Sequence, residues 1–102
     1  QTVPEGVKRI GAAPGANGAI TGAGVGVAIV DSGIDFGHPD LAPSAIQFNG
    51  LTGADPGNAQ DDNGHGTHVA GTVAALHNTA DVVGVAPGAT LYAVKVLDAQ
   101  GS

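Results

Sequence analysis

The sequence predicts an α/β layered fold with a mainly parallel sheet, and three stretches carry that expectation. Residues 24–30 contain Val25-Gly-Val-Ala-Ile-Val30, a near-continuous apolar run of the kind found in strands buried on both faces. Residues 64–76 place Val69, Ala70, Val73, Ala74 and Leu76 at helical spacing. Residues 90–97 form a second apolar, β-branched run that stops at Asp98. Strand, helix and strand in this order describe a layered α/β unit.

The remaining segments follow from their turn chemistry. Pro4 opens a short helical turn ending near Ile10, and residues 11–24 are rich in Gly and Ala. Asp31-Ser32-Gly33 closes the first strand with a strong turn signal. Residues 36–63, interrupted by Pro39, Pro43 and Pro56, are expected to form an irregular surface loop. A parallel sheet needs helices on both faces, yet only one convincing helix is visible. Gly and Pro together equal Val, Ile, Leu and Phe together, 24 residues each, so large side chains for a core are scarce. Both facts predict that these 102 residues are part of a fold rather than all of one, poorly folded alone.

Composition excludes several functions. A formal net charge of −6, from three basic and nine acidic residues, gives no footprint for a phosphate backbone, so no nucleic-acid partner is expected. The absence of Cys removes disulfides, thiolate metal sites and a Cys nucleophile. No apolar run approaches the length of a membrane span. Gly22, Gly24 and Gly26 precede a strand, whereas the glycines of a dinucleotide loop follow one and open a helix.

The chemistry concentrates at two points. Asp31 lies at the carboxyl end of a strand, where open α/β sheets gather functional groups; by itself it also reads as a turn cap. His65 lies between two glycines in Asn63-Gly-His-Gly-Thr-His68, at the start of the helix. Glycine there lets another backbone approach closely. The bland alternative for a single His is a polar, solvent-facing helix start. His65 and His68 also raise a metal reading, to which His38 and Asp40 could contribute, but the Glu and the four-residue His spacing of a zincin helix are missing. Taken together, Asp31 and His65 suggest a carboxylate that fixes an imidazole tautomer and leaves its other nitrogen as a base.

At these residues the chain resembles the subtilisin-like serine proteases. Val27-Ala-Ile-Val-Asp31-Ser-Gly-Ile-Asp35 is similar to their Asp block, and His65-Gly-Thr-His-Val-Ala-Gly-Thr72 to their His block. His38-Pro-Asp-Leu41, Gly84-Val-Ala-Pro-Gly-Ala89 and Leu91-Tyr-Ala-Val-Lys-Val-Leu97 resemble the segments around them. The resemblance implies a three-layer subtilisin-like fold, present here in part, and a serine endopeptidase acting on polypeptides. It makes His65 the general base and later acid, and Asp31 the residue that orients it. His68 would then be structural and hydrogen-bonded inside the fold.

The family's Ser block and its oxyanion Asn are absent. Ser32, Ser44 and Ser102 are the only serines, and none has a nucleophile setting. The resemblance therefore implies that a complementary C-terminal chain, or a missing segment, supplies both groups. A nick after Ser102 is the preferred explanation of the length. The rival expectation is a catalytically inactive protease-derived fragment that serves as a binding or structural module. The resemblance further implies a structural Ca²⁺ held by Gln1, Asp40, Leu76, Asn78, Ala80 and Val82, with Leu, Ala and Val offering only carbonyls. It also implies a substrate-binding backbone edge beginning at Gly101 and Ser102, a side-chain pocket near Leu97, and a secreted protein.

Overall fold

The structure, a computed structural model, describes residues 2–12, 20–53, 57–77 and 82–102. Five elements appear in the order α1 (Glu5–Arg9), β1 (Gly26–Asp31), β2 (Gln47–Asn49), α2 (His65–Ala74) and β3 (Thr90–Lys95). The strands form one parallel sheet in the order β1-β3-β2. Gly26 pairs with Thr90 and Asp31 with Lys95, while Gln47 pairs with Ala93 and Asn49 with Lys95. The two expected strands, the opening turn of helix and the long helix are all present, within two or three residues of their predicted ends.

One element was not foreseen. β2 lies inside the stretch expected to be irregular. Only three residues long and preceded by Pro43, it lacks a periodic signal; its strand character comes from pairing with β3. Asn49, an unlikely strand residue by propensity, is buried and ties the neighbouring turns through its side chain to the Asn58 carbonyl and the Leu51 N–H.

Helix α2 covers one face of the sheet. Ala70 and Ala74, one turn apart, enter a core made by Ile29, Ile34, Leu41, Ala59, Leu91 and Ala93. Their small size brings the helix axis close to the strands. The opposite sheet face stays open among the described residues: Val30 is 62% exposed, Phe48 41% and Val96 39%. The sequence predicts strands buried on two faces, and this chain covers one.

Each end of α2 is closed differently. At its carboxyl end, the N–H groups of Gly84, Val85 and Ala86 donate to the carbonyls of Ala75, Thr72 and Val73, which have no intrahelical donors. At its amino end the donors are met by side chains, and that end carries His65.

Candidate active site

Three side chains satisfy the first N–H groups of α2. The His65 N–H donates to Asn63 Oδ1 at 3.1 Å, the Gly66 N–H to Ser32 Oγ at 2.9 Å, and the Thr67 N–H to Asp61 Oδ2 at 3.0 Å. Gly64 precedes the helix with φ of +113°, a left-handed conformation that glycine adopts without steric cost. Gly66 is fixed for another reason. A Cβ on it would come within 2.1 Å of the Gly33 carbonyl oxygen, so the helix rests directly on the turn that follows β1. The His65-Gly66 pair is thereby set against Asp31-Ser32.

The result is a close Asp–His contact. His65 Nδ1 lies 2.9 Å from Asp31 Oδ1 and 2.8 Å from Oδ2. Asp31 Oδ1 also accepts the Ser32 N–H at 2.7 Å. Partial burial raises the Asp31 carboxyl, but the His65 and Ser32 hydrogen bonds outweigh it and hold the group below its ordinary range. An ionised Asp31 only accepts, so His65 Nδ1 carries a proton toward it, and in the neutral ring Nε2 is the nitrogen with the lone pair. The Asp31 side chain is 13% exposed and that of His65 66%, so the carboxylate is sheltered and the imidazole is accessible. The pair can act as an oriented base.

Beneath it lies a polar network. Asp61 accepts five hydrogen bonds: Ser32 Oγ, the Asn63 and Gly64 N–H groups, and the N–H and Oγ1 of Thr67. Burial raises its carboxyl, yet the Thr67 hydroxyl and the backbone donors bring it far below the ordinary carboxylate value. The loop carrying it is delivered by a parallel bridge between Ile34 and Gln60, with the Ile34 N–H on the Ala59 carbonyl and the Asp61 N–H on that of Ile34. Buried Lys95 donates to the Ser32 carbonyl and to Asp62 Oδ1, both at 2.6 Å. From sequence, Ser32 reads as part of a turn and as an unsuitable nucleophile, and neither Asp61 nor Lys95 stands out as a site residue. The available signal was Asp61-x-Asn63 just before the helix, an acceptor pattern suited to a helix start.

The other expected site residues fall as follows. Leu97 donates its N–H to the Asp31 carbonyl, and residues 98–102 form a turn in which the Ser102 carbonyl accepts the Asp98 N–H. Gly101 has φ of +79°, and the Ala99 carbonyl accepts from Asn63 Nδ2, so this exposed turn stands beside the loop leading to His65. His68 is exposed rather than enclosed in the fold; it lines a groove of about 980 Å³ between α1 and α2.

Of the expected calcium positions, Gln1, Asn78 and Ala80 lie outside the described residues. Asp40, Leu76 and Val82 do converge. The Leu76 N–H donates to the Asp40 carbonyl, and Thr2 forms a parallel bridge with Val82, drawing the N-terminal segment to the loop after α2. Asp40 is buried, and its carboxylate together with the backbone carbonyls of Leu76 and Val82 would make an oxygen-only donor set, of the kind that fits a hard cation. Among the described residues no three His, Cys, Asp or Glu side chains cluster as metal ligands. That counts against a centre built from His38, Asp40, His65 and His68. No described helix is long and apolar enough to cross a membrane.

A sheltered Asp set against an accessible His, at the carboxyl edge of a parallel sheet, is an arrangement that can orient an imidazole base on an α/β frame. The chain matches the Subtilase family model over residues 22–102 and belongs to that family. Over 104 residues it is 53% identical to Subtilisin Savinase of Lederbergia lenta, covering 100% of this chain and 36% of that protein. The alkaline protease of Alkalihalobacillus alcalophilus is likewise 53% identical over 104 residues, and this chain spans 26% of it. Subtilisin E of Bacillus subtilis (strain 168) is 49% identical over 102 residues, again with 26% of its length covered. The chain thus spans about a quarter to a third of the curated relatives it matches.

Proposed function

We propose that these residues are the N-terminal portion of a subtilisin-like catalytic domain and supply the Asp–His half of a serine endopeptidase. The observation that carries this is the contact of 2.8–2.9 Å between His65 Nδ1 and both Asp31 oxygens, with Nε2 left accessible. In the proposed reaction His65 Nε2 takes the proton of a serine hydroxyl as that oxygen attacks the peptide carbonyl. Asp31 stabilises the imidazolium that forms, and His65 then protonates the leaving amine.

The serine is not among these residues. Ser32 Oγ is committed to Asp61 and the Gly66 N–H, and Ser44 Oγ accepts the Ile46 N–H. A second chain or a further segment supplies the nucleophile and the oxyanion Asn, and its packing covers the open sheet face. The turn at Leu97, Gly101 and Ser102 begins the edge along which a polypeptide substrate lies. A bound Ca²⁺ would be structural, neutralising Asp40 and cross-linking the N-terminal segment to the loop after α2. The family resemblance and the calcium positions support a secreted enzyme.

Two measurements test the reading. A serine-directed phosphonate labels the assembled protease, and peptide hydrolysis disappears with labelling. Absence of labelling in a folded assembly would favour the rival, a protease-derived binding or structural module. Intact mass under denaturing conditions separates two chains from one: a single species well above 9.7 kDa removes the two-chain form.

A further inference from the structure

Every polar atom of Ser32 is engaged, and each bond reaches a different part of the site. Its N–H donates to Asp31 Oδ1 at 2.7 Å, its carbonyl accepts from Lys95 Nζ at 2.6 Å, and its hydroxyl donates to Asp61 Oδ1 at 2.8 Å. That hydroxyl also accepts the N–H of Gly66, the residue after His65, at 2.9 Å. The side chain is completely buried, so water cannot replace these partners. Donor and acceptor capacity are both used, which leaves the hydroxyl a single orientation.

We infer that Ser32 is a positioning residue: its hydroxyl is the joint that sets the Asp31 carboxylate against the His65 imidazole. The strand end enters the joint through the Ser32 backbone, and the helix start enters through the Gly66 N–H. Nothing else in the described hydrogen bonding links residue 32 directly to residue 66. Asp61 anchors the joint from below by binding Ser32 and the Asn63, Gly64 and Thr67 N–H groups together. Without the hydroxyl, the Gly66 N–H loses its acceptor inside a dry contact, and the helix start is free to tilt. A change of a few tenths of an ångström at a 2.8 Å contact then weakens the pairing that orients the base.

The inference rests on the proposed role of Asp31 and His65, and its test separates the two. In the assembled protease, Ser32→Ala is expected to lower kcat at least tenfold while KM changes less than twofold, because substrate contacts are untouched. The acid limb of kcat/KM is expected to move to lower pH, since an imidazolium with a loosened carboxylate partner gives up its proton more readily. The charged groups of the network are Asp31 from β1, in contact with the imidazole, and Asp61, Asp62 and Lys95, linked to it through Ser32, and none is altered by the substitution. Ser32→Thr keeps a hydroxyl and is expected to restore kcat and the limb to within threefold. A purely structural role would lower Tm without moving the limb.

Ser32→Ala that folds with unchanged kcat and an unchanged limb overturns the joint. Should Ser32→Ala fail to fold, Ser32→Cys, similar in size and weaker as donor and acceptor, takes its place. Wild-type kcat and limb in that variant equally overturn the inference. If the assembled wild-type protein hydrolyses nothing, the protease reading fails, and the joint is read instead from the His65 ring resonances. An imidazole titration shifted downward by Ser32→Ala supports the joint, and an unshifted one refutes it.

Discussion

The two ends of α2 are held by different partners. At the amino end, Asp61, Ser32 and Asn63 supply side-chain acceptors, and Gly66 rests on the Gly33 backbone. At the carboxyl end backbone meets backbone: the N–H groups of residues 84–86 donate to helix carbonyls, and Gly84 rests on the Ala74 and Ala75 backbone. An apolar groove beside α1 runs along the helix from Gly64 to Ala75. Side-chain acceptors depend on residue identity, whereas any residue but proline can supply a backbone N–H. The amino end is therefore set by particular side chains, and it carries the reacting group. The carboxyl end depends on the path of the loop after it.

The largest expected effect lies at the amino end. In the assembled protease, Asp31→Asn leaves the site's shape intact but lets Nδ1 act as acceptor, so that the wrong nitrogen carries the proton. A fall in kcat of about 10⁴ is expected, with KM little changed. Steady-state kinetics on a chromogenic peptide would measure it, and a loss below tenfold would remove Asp31 from its assigned role.

Packing at the same end gives the next largest effect. Gly66→Ala drives a methyl group into the Gly33 carbonyl oxygen, with the Gly33 N and the Ser32 hydroxyl also in close contact. The helix must retreat from the turn, at a cost of about 3 kcal/mol, near the upper part of the range for overpacking. Denaturant unfolding of the assembled protein would show it. Gly71, with nothing within 4 Å of its Cβ position, is the control: Gly71→Ala is expected to be neutral or stabilising.

The carboxyl end responds to ions instead. If Ca²⁺ joins Asp40 to the loop after α2, a chelator lowers Tm, and free calcium at 100 times Kd stabilises by about 2.7 kcal/mol. Calorimetry with and without a calcium-selective chelator measures this, and an unchanged Tm would count against the site. Asp31→Asn should leave the calcium response intact.

This contrast also explains what could be read from sequence. Residues 24–30 and 90–97 announce themselves as continuous apolar runs and residues 64–76 by helical spacing, and Asp31 and His65 stand at the ends of two of them. β2 has no such period, because one long-range pairing with β3 makes it a strand. Asp61, Ser32 and Lys95 were hidden for a related reason. The Ser32–Asp61, Ser32–Gly66 and Lys95–Ser32 bonds span 29, 34 and 63 residues, and a polar residue beside glycine looks like a turn. Only the fold shows that Ser32 faces Gly66.

The smallest effect distinguishes the ends by pH. Asp61 has an ordinary carboxyl value of 3.8 and is held far below it when folded, so the folded state favours the ionised form. Its contribution is complete above the unfolded value and is lost as pH falls from about 4 toward the folded value. Asp61→Asn cannot ionise, so it removes this slope. At neutral pH the variant is expected to lose about 1 kcal/mol, the usual scale for losing a helix N-terminal acceptor. Urea unfolding at pH 7 and at pH 3 gives both numbers. The stability gap between wild type and variant should narrow at pH 3. A constant gap would mean that Asp61 is held by shape alone and that the anion contributes nothing to the amino end of α2.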